Sequence, residues 1–192
     1  MSFLSNNCTV FPHSREKFDF SCGDKDLDDF FHNDADKFQQ QLLCKSYSFR
    51  LDSDNAVVVC VFTLSNSSID ARNLPNNRRR KLTEKIPHEK SLSSYPATLI
   101  GRLGVSSDFG GKGIGTELME FIKQWMQLPT YLTACRYLTV DAYNNEHTLK
   151  FYEKNGFKTI FSSENQEKEH IGLPPEKDLI TRLMYFDLLP LM

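Results

Sequence analysis

The stretch RLGVSSDFGGKGIGTELMEFI, from Arg102 to Ile122, contains four glycines within six residues, and an apolar pattern with helical spacing follows at once. Glycine lets the backbone adopt positive φ and approach a ligand closely. The first turn of a helix offers unpaired N–H groups and a partial positive charge. The stretch is therefore a candidate phosphate cradle, to which Lys112 can add a charge-assisted contact. A tight turn that binds nothing explains the glycines equally well.

Two known phosphate-binding loops do not match this stretch. The Walker pattern requires Gly-Lys followed by Ser or Thr, and the chain has no such triplet. A dinucleotide fold places its glycine motif after the first strand, with an acidic residue about twenty positions later. Here the glycines lie in the middle of the chain, after several predicted strands.

Residue patterns on both sides of the loop alternate between strand and helix. Together they predict an α/β protein with a mixed sheet covered by helices. Strands are predicted at 8–12, 45–52, 56–65, 96–105, 135–143, 157–161 and 179–188, and helices at 21–43, 77–85, 113–127 and 144–156. Ser21 or Asp24 can cap the first helix, and Gly156 is placed to end the last one.

Length and composition limit the class of protein. The 192 residues suit a single domain, 1–192, and a net charge of −2 excludes a generally basic nucleic-acid-binding surface, although not a local patch. No apolar run reaches the length of a membrane span, and no secretory signal is evident, so a cytoplasmic location is expected. Five cysteines without a C-x-x-C pair predict reduced thiols and no metal site.

Positive charge is concentrated between residues 72 and 90. This segment, the basic insert, has seven basic residues against Glu84 and Glu89. Phosphates bind such patches, so the insert can contact a nucleic acid or the 3′-phosphate of a nucleotide. A solvated helix face is the simpler explanation. The basic residues are Arg72, Arg78, Arg79, Arg80, Lys81, Lys85 and Lys90.

The glycine loop resembles the signature of the GNAT superfamily of acetyl-CoA-dependent N-acetyltransferases, Arg/Gln-x-x-Gly-x-Gly/Ala between a strand and a helix. Gly113 and Gly115 fill its two small positions, while Gly110 stands where Arg or Gln is usual. A second block, NNEHTLKFYEKNGF, resembles the family's Asn-x-x-Ala-x-x-(apolar)-Tyr-Glu-Lys-x-Gly-Phe segment. Both blocks occur in the family's order, with one helix and one strand between them.

Two further stretches, FDFSCGDKDLDDFF and YPATLIGRLGV, are similar to a GNAT subgroup that includes tRNA-acetylating toxins. These toxins acetylate the α-amine of aminoacyl-tRNA. The resemblance implies a central mixed, mostly antiparallel sheet flanked by helices, acetyl-CoA as cosubstrate, and a homodimer as a common assembly.

The resemblance also implies roles for individual residues. Tyr152 matches the general acid that protonates the CoA thiolate. Asn145 matches a cofactor contact, although it is also placed to cap a helix. The general base stays open among Glu84, Asp141 and His147, and a neutral amine needs none. The implied cofactor-binding residues are Leu103, Gly104 and Val105 of the strand, which supply an oxyanion-binding N–H, and Gly110, Gly111, Lys112, Gly113, Ile114, Gly115, Thr116 and Asn145.

The sequence therefore predicts an enzyme that transfers acetyl from acetyl-CoA to a primary amine by direct attack in a ternary complex. The acceptor stays open between a small molecule, a protein and the α-amine of aminoacyl-tRNA, with Arg78, Arg79, Arg80 and Lys81 as the expected tRNA contact. A non-catalytic acetyl-CoA sensor is the alternative, because Gly110 departs from the family pattern.

Overall fold

The computed structural model describes residues 2–13, 19–72, 74–84, 86–87, 92–130 and 133–189. Helices and strands alternate much as the sequence predicts. The helices are α1 (Phe3–Asn7), α2 (Lys25–Asp29), α3 (Ala35–Gln40), α4 (Asn76–Thr83), α5 (Ile114–Met126), α6 (Glu146–Lys154) and α7 (Glu164–Ile171). The strands are β1 (Cys8–Pro12), β2 (Lys45–Leu51), β3 (Asp54–Asp70), β4 (Ser94–Val105), β5 (Tyr137–Tyr143), β6 (Lys158–Thr159) and β7 (Thr181–Asp187).

The strands form one seven-stranded sheet in the order β1-β2-β3-β4-β5-β7-β6. Strands β4 and β5 run parallel, pairing Ala97 with Tyr137 and Leu99 with Thr139. The pairs β1–β2, β2–β3, β5–β7 and β6–β7 are antiparallel. The predicted mixed α/β architecture is therefore confirmed, with α-helices between the strands as expected.

Contacts between residues divide the chain into two compact units. The first unit contains the residues up to Asn66 together with Ile100–Leu128, and the second contains Ser67–Leu99 together with the residues after Leu128. Strands β3 and β4 each contribute to both units. A single domain, 1–192, stays a prediction from the sequence.

In the first unit, α5 buries one face against the sheet. Ile114, Leu118, Ile122 and Met126 are all buried, at the helical spacing that the sequence predicts. The half-buried Phe121 and Trp125 on the same helix pack edge-on against Phe49 and Tyr47 of β2. This packing fixes the position of the first turn of α5, which carries the glycine loop.

The predicted helix 21–43 is divided into two short helices by a turn of π-helix at Phe30–Asp34. Asp24 caps it, as one of the two predicted capping residues, by accepting hydrogen bonds from the N–H groups of Asp26 and Leu27. A π turn has a wider spacing than an α turn. The neighbouring Phe30 and Phe31 are both buried in the same core cluster, and the extra residue of the π turn permits this.

The core of the second unit lies where α4 packs on β4 and β5. Tyr95 and Tyr137 are fully buried there with Leu82 of α4. The hydroxyl of Tyr137 donates a 2.6 Å hydrogen bond to the carbonyl of Leu82. This bond holds the C-terminal end of α4 against the start of β5.

Three short helical elements were not anticipated from the sequence: α1, a 3₁₀ turn at Ser107–Phe109, and α7. Helix α7 is capped by Ser163 and ends at Gly172, which has a φ of 70°. The predicted strand 157–161 is reduced to Lys158–Thr159. Short elements such as these depend on tertiary packing more than on their own residue pattern.

Candidate acetyl-transfer site

The glycine loop has the backbone conformation that its sequence suggests. Gly111 and Gly113 have φ values of 71° and 80°, in the left-handed region that favours glycine. A Cβ added to either residue would have no atom within 4 Å. Backbone conformation, rather than crowding, therefore requires glycine at these two positions.

The N–H groups of residues 111–115 donate no hydrogen bond to any residue that the structure describes. The first helical bonds of α5 run from the N–H groups of Thr116 and Glu117 to the carbonyl of Gly113, at 3.0 and 3.1 Å. Five consecutive amides at the positive end of a 13-residue helix are thus available to an anion. Gly111, Gly113 and Gly115 leave most of this surface without side chains.

The strand and turn before the loop are held by bonds within the first unit. The N–H of Ser106 donates to the carbonyl of Val59 at 2.9 Å, and both the N–H and the hydroxyl of Ser107 donate to the carbonyl of Ser21. The N–H of Gly110 donates to the carbonyl of Ser107 at 3.2 Å. The loop therefore starts from a fixed position, and residues 111–113 follow without such bonds.

Lys112 is exposed, and its ammonium group stays beside the loop. It donates a 2.9 Å hydrogen bond to the carbonyl of Asp108 and lies 5.3 Å from the centre of the Phe109 ring. The positive charge is thus available near the free amides, but the side chain must leave these contacts to reach a ligand. Thr116, which is also expected to contact the cofactor, is exposed in the first turn of α5.

The predicted oxyanion-binding segment, Leu103 to Val105, is the end of β4. The parallel pairing with β5 involves Ala97 to Leu99, so these residues follow it along the strand. Gly104 is buried, and a Cβ there would lie 3.0 Å from Cζ of Phe20. Packing against Phe20 therefore gives this glycine a structural role in addition to the expected binding role.

In the second unit, Tyr152 lies near the end of α6 between two phenylalanine rings. Its ring centre is 5.1 Å from that of Phe151 and 5.4 Å from that of Phe157. Its hydroxyl makes no hydrogen bond to a described residue. Burial raises the pKa of Tyr152 to about 12, so the hydroxyl keeps its proton at neutral pH. A protonated phenol without a partner is suited to donate that proton.

Asn145 caps α6, because its side-chain oxygen accepts a 2.9 Å hydrogen bond from the N–H of Thr148. This confirms one of the two roles open to it from sequence, and its amide NH₂ remains available to a ligand. At the other end of the helix, Gly156 has a φ of 82°, as expected of the glycine that ends α6. A Cβ there would lie 2.9 Å from the Phe186 ring.

The three candidate bases lie in different surroundings in the second unit. Asp141 is on β5, where partial burial raises the pKa of its carboxyl above the usual value even though part of the side chain is exposed. His147 is exposed in the first turn of α6. Glu84 follows α4, beside Lys81 and Tyr185. The raised pKa makes the Asp141 carboxylate a better proton acceptor than an ordinary aspartate.

The described part of the basic insert centres on α4. Arg72 forms an ion pair with Asp70 at 2.6 Å. By contrast, the side chains of four cations form no ion pair or hydrogen bond with the described residues: Arg78, Arg79, Arg80 and Lys81. Lys85, Glu89 and Lys90 lie outside the described residues. The sequence could show the run of charges but not that Arg72 is neutralised by Asp70.

The cysteines agree with the expectation of reduced thiols. All five are free, and Cys8 and Cys60 are buried. Burial raises the pKa of the Cys8 thiol to about 11, which makes it unreactive as a nucleophile. In the described ranges, no cluster of His, Cys, Asp and Glu is arranged to hold a metal ion, and no helix is long and apolar enough to span a membrane.

The comparison with protein families identifies the segment that contains both blocks. Residues 83–159 match the model described as the acetyltransferase (GNAT) domain. The chain carries a GNAT acetyltransferase domain. Acetyl-CoA is the cosubstrate of this family, and the matched segment includes both the glycine loop and Tyr152 of this acetyltransferase.

Solved structures show the same fold along nearly the whole chain. AtaT complexed with acetyl-methionyl-tRNAfMet is 19% identical, covers 96% of this chain and 97% of that one, and has a TM-score of 0.70. A mutant of KacT is 20% identical over 97% and 100%, with a TM-score of 0.66. AtaTR bound with AcCoA is 19% identical over 96% and 96%, with a TM-score of 0.65. No curated protein is significantly similar in sequence.

Proposed function

We propose that this GNAT acetyltransferase transfers acetyl from acetyl-CoA to the α-amine of aminoacyl-tRNA. The observation that carries the proposal is a run of four cations on α4, Arg78 to Lys81, in a chain whose net charge is negative. Their side chains form no ion pair with the described residues. An RNA acceptor gives these charges a function, because phosphates bind such runs. The similarity of fold to AtaT, which is seen with acetyl-methionyl-tRNAfMet, supports the same acceptor.

In the proposed reaction, the amides of residues 111–115 hold the pyrophosphate of acetyl-CoA, and an N–H among Leu103 to Val105 stabilises the oxyanion. The neutral amine attacks the thioester carbonyl, and the C–S bond breaks as the amide forms. The phenol of Tyr152 gives its proton to the departing thiolate, since its raised pKa keeps it protonated. Asp141 is our choice for the group that takes the proton lost by the amine, directly or through water.

The proposed acceptor has consequences for location and assembly. Charged tRNA is used in translation, so the enzyme is expected to act in the cytoplasm. Similar structures include AtaT bound to the C-terminus of its antitoxin AtaR, and an antitoxin-type partner and a homodimer are proposed here as well. Sedimentation of the purified chain, alone and with any protein encoded beside it, tests both assemblies.

The decisive experiment follows labelled acetyl from acetyl-CoA to charged tRNA, with uncharged tRNA and simple amines as parallel acceptors. Label on charged tRNA alone supports the proposal. Label on simple amines alone overturns it in favour of a small-molecule or protein acetyltransferase. The absence of label on every acceptor, with acetyl-CoA bound, overturns it in favour of a cofactor sensor.

The basic helix is tested with Arg78, Arg79 and Arg80 all changed to Ala. We expect kcat/KM for charged tRNA to fall by at least about tenfold. The slope of log(kcat/KM) against log salt concentration should become shallower by up to about three, because each phosphate contact adds about one to that slope. The affinity for acetyl-CoA should stay unchanged. Arg72→Ala is the matched control, since Asp70 already neutralises Arg72 in the same segment.

A further inference from the structure

The second unit contains a cavity of about 200 Å³ at the C-terminal end of α4. This volume is large enough for a phosphate-sized group. The polar and charged residues that line it are Lys81, Glu84, Arg136, Lys158, Tyr185 and Asp187.

The strand register brings these side chains to one face of the sheet. Lys158 of β6 is directly opposite Tyr185 of β7, and Asp187 is two residues further along the same strand. Tyr137 of β5 is opposite Asp187 and therefore points to the same face, where its hydroxyl bonds to the carbonyl of Leu82. Helix α4 is thus fixed over this face, with Lys81 beside the cavity.

The charges of the lining do not cancel. Arg136 is neutralised by Asp187, whose carboxylate oxygens lie 2.8 Å from the guanidinium nitrogens. The side chains of Lys81, Lys158 and Glu84 make no ion pair or hydrogen bond with the described residues. Two cations therefore face a single uncompensated carboxylate among these lining residues. Arg78 adds positive charge nearby, and its buried Nε has no hydrogen-bond partner among the described residues.

Tyr185 supplies a hydrogen-bond donor to the same cavity. Its ring packs edge-on against Tyr137 with centres 5.9 Å apart, which fixes its direction. Burial, and then the charge of Asp187, raises the pKa of its hydroxyl. The charge of Arg78 lowers this pKa, and the charge of Glu84 has a smaller raising effect, so the net shift is upward. The phenol is therefore protonated at neutral pH and can donate to an anion.

We propose that this cavity binds a phosphate group, held by Lys81 and Lys158 and by the hydroxyl of Tyr185. The net positive lining excludes a metal cation, and lysine is a common point-charge ligand for phosphate. Lys81 is also the last of the four cations of α4, so the cavity continues the charged surface of that helix. The group is either a phosphodiester of the RNA acceptor or a free phosphate ion.

The assignment of the bound phosphate to an RNA phosphodiester rests on the proposed function, whereas the existence of a phosphate site does not. Uncharged tRNA and inorganic phosphate serve as separate probes, neither of which requires acetyl transfer. If charged tRNA is not acetylated but the cavity variants still change the binding of either probe, the proposed function fails and the phosphate site stands.

The experiment titrates wild type, Lys158→Ala, Glu84→Gln and Lys177→Ala with fluorescently labelled uncharged tRNA between about 50 and 200 mM salt. For an RNA phosphodiester, Lys158→Ala should weaken binding several-fold and lower the salt slope by about one. Glu84→Gln should strengthen binding, because it removes the uncompensated carboxylate. Lys177→Ala is the matched control, an exposed lysine of the same unit outside the cavity.

Lys158→Ala and Glu84→Gln are expected to change tRNA affinity in opposite directions. This separates an effect on binding from damage to the fold, because a folding defect does not strengthen binding. A parallel titration with inorganic phosphate, followed by the thermal unfolding midpoint, identifies the source. The site is assigned to free phosphate if phosphate raises the unfolding midpoint of the wild type, Lys158→Ala abolishes this rise, and tRNA binding is unchanged in that variant. The proposal is overturned if Lys158→Ala and Glu84→Gln behave like Lys177→Ala with both probes.

Discussion

In the proposed reaction, the glycine loop and the end of α6 contribute in opposite ways. The loop offers backbone amides and has almost no side chains, and its properties follow from positive φ at Gly111 and Gly113. The end of α6 offers one side chain, Tyr152, whose properties follow from the rings around it. A change of residue should therefore affect the loop through conformation and α6 through a single functional group.

The largest expected effect on activity is at the end of α6, where a single side chain carries the proposed function. Tyr152→Phe keeps the ring contacts with Phe151 and Phe157 but removes the proton donor, so kcat should fall by about 10²- to 10⁴-fold. Acetyl-CoA affinity, measured by calorimetry, should stay unchanged. A variant with full kcat would show that the thiolate takes its proton from another source. Tyr152 would then have no catalytic role to compare with the binding role of the loop.

In the glycine loop, Gly113→Ala should have a smaller effect, a loss of affinity for acetyl-CoA. A residue with a side chain at a φ of 80° costs about 1–2 kcal/mol, so the loop should shift and the dissociation constant for acetyl-CoA should rise by about tenfold. Isothermal titration measures this directly.

Gly172→Ala is the matched control for Gly113→Ala. Gly172 also has positive φ, 70°, with nothing within 4 Å of an added Cβ, but it ends α7 in the second unit. Both variants should lose a similar free energy of unfolding, while only Gly113→Ala loses cofactor affinity. Equal effects on affinity would mean that global stability, not the loop, is responsible.

Lys112→Ala should have a still smaller effect, at most about threefold on acetyl-CoA affinity, because exposed charge contacts contribute little. Its ammonium group already bonds to the carbonyl of Asp108 and lies against the Phe109 ring. A tenfold loss of acetyl-CoA affinity, measured by isothermal titration, would show that the Lys112 side chain leaves these contacts to bind the cofactor. The loop would then act through a side chain as well as through its amides.

The pH profile should show no effect of Tyr152 over the usual range. The acid form is required, and burial raises the pKa of Tyr152 to about 12, so kcat should not decline between about pH 6 and 10. An α-amine acceptor instead gives kcat/KM a rising limb near about pH 8. A decline of kcat near pH 10 that is absent from Tyr152→Phe would indicate an ordinary phenol pKa and more solvent around the ring than the structure shows.

The sequence by itself determined the loop, the resemblance to the family and the order of the longer strands and helices. Glycines before an amphipathic helix specify a local backbone conformation, and Asn145 and Gly156 mark the ends of α6, because caps and positive φ are properties of neighbouring residues. The apolar spacing of α5 identified its buried face before any fold was known, since one periodic pattern implies one face.

Only the tertiary structure decided the environments of the side chains. A π turn divides the helix 21–43 where Phe30 and Phe31 are both buried, and the raised pKa of Tyr152 follows from its burial. The cavity beside Lys158 joins residues from 81 to 187, which no local pattern connects. Burial, charge pairing and pKa depend on contacts between residues distant along the chain, and these contacts exist only once the sheet and helices have packed.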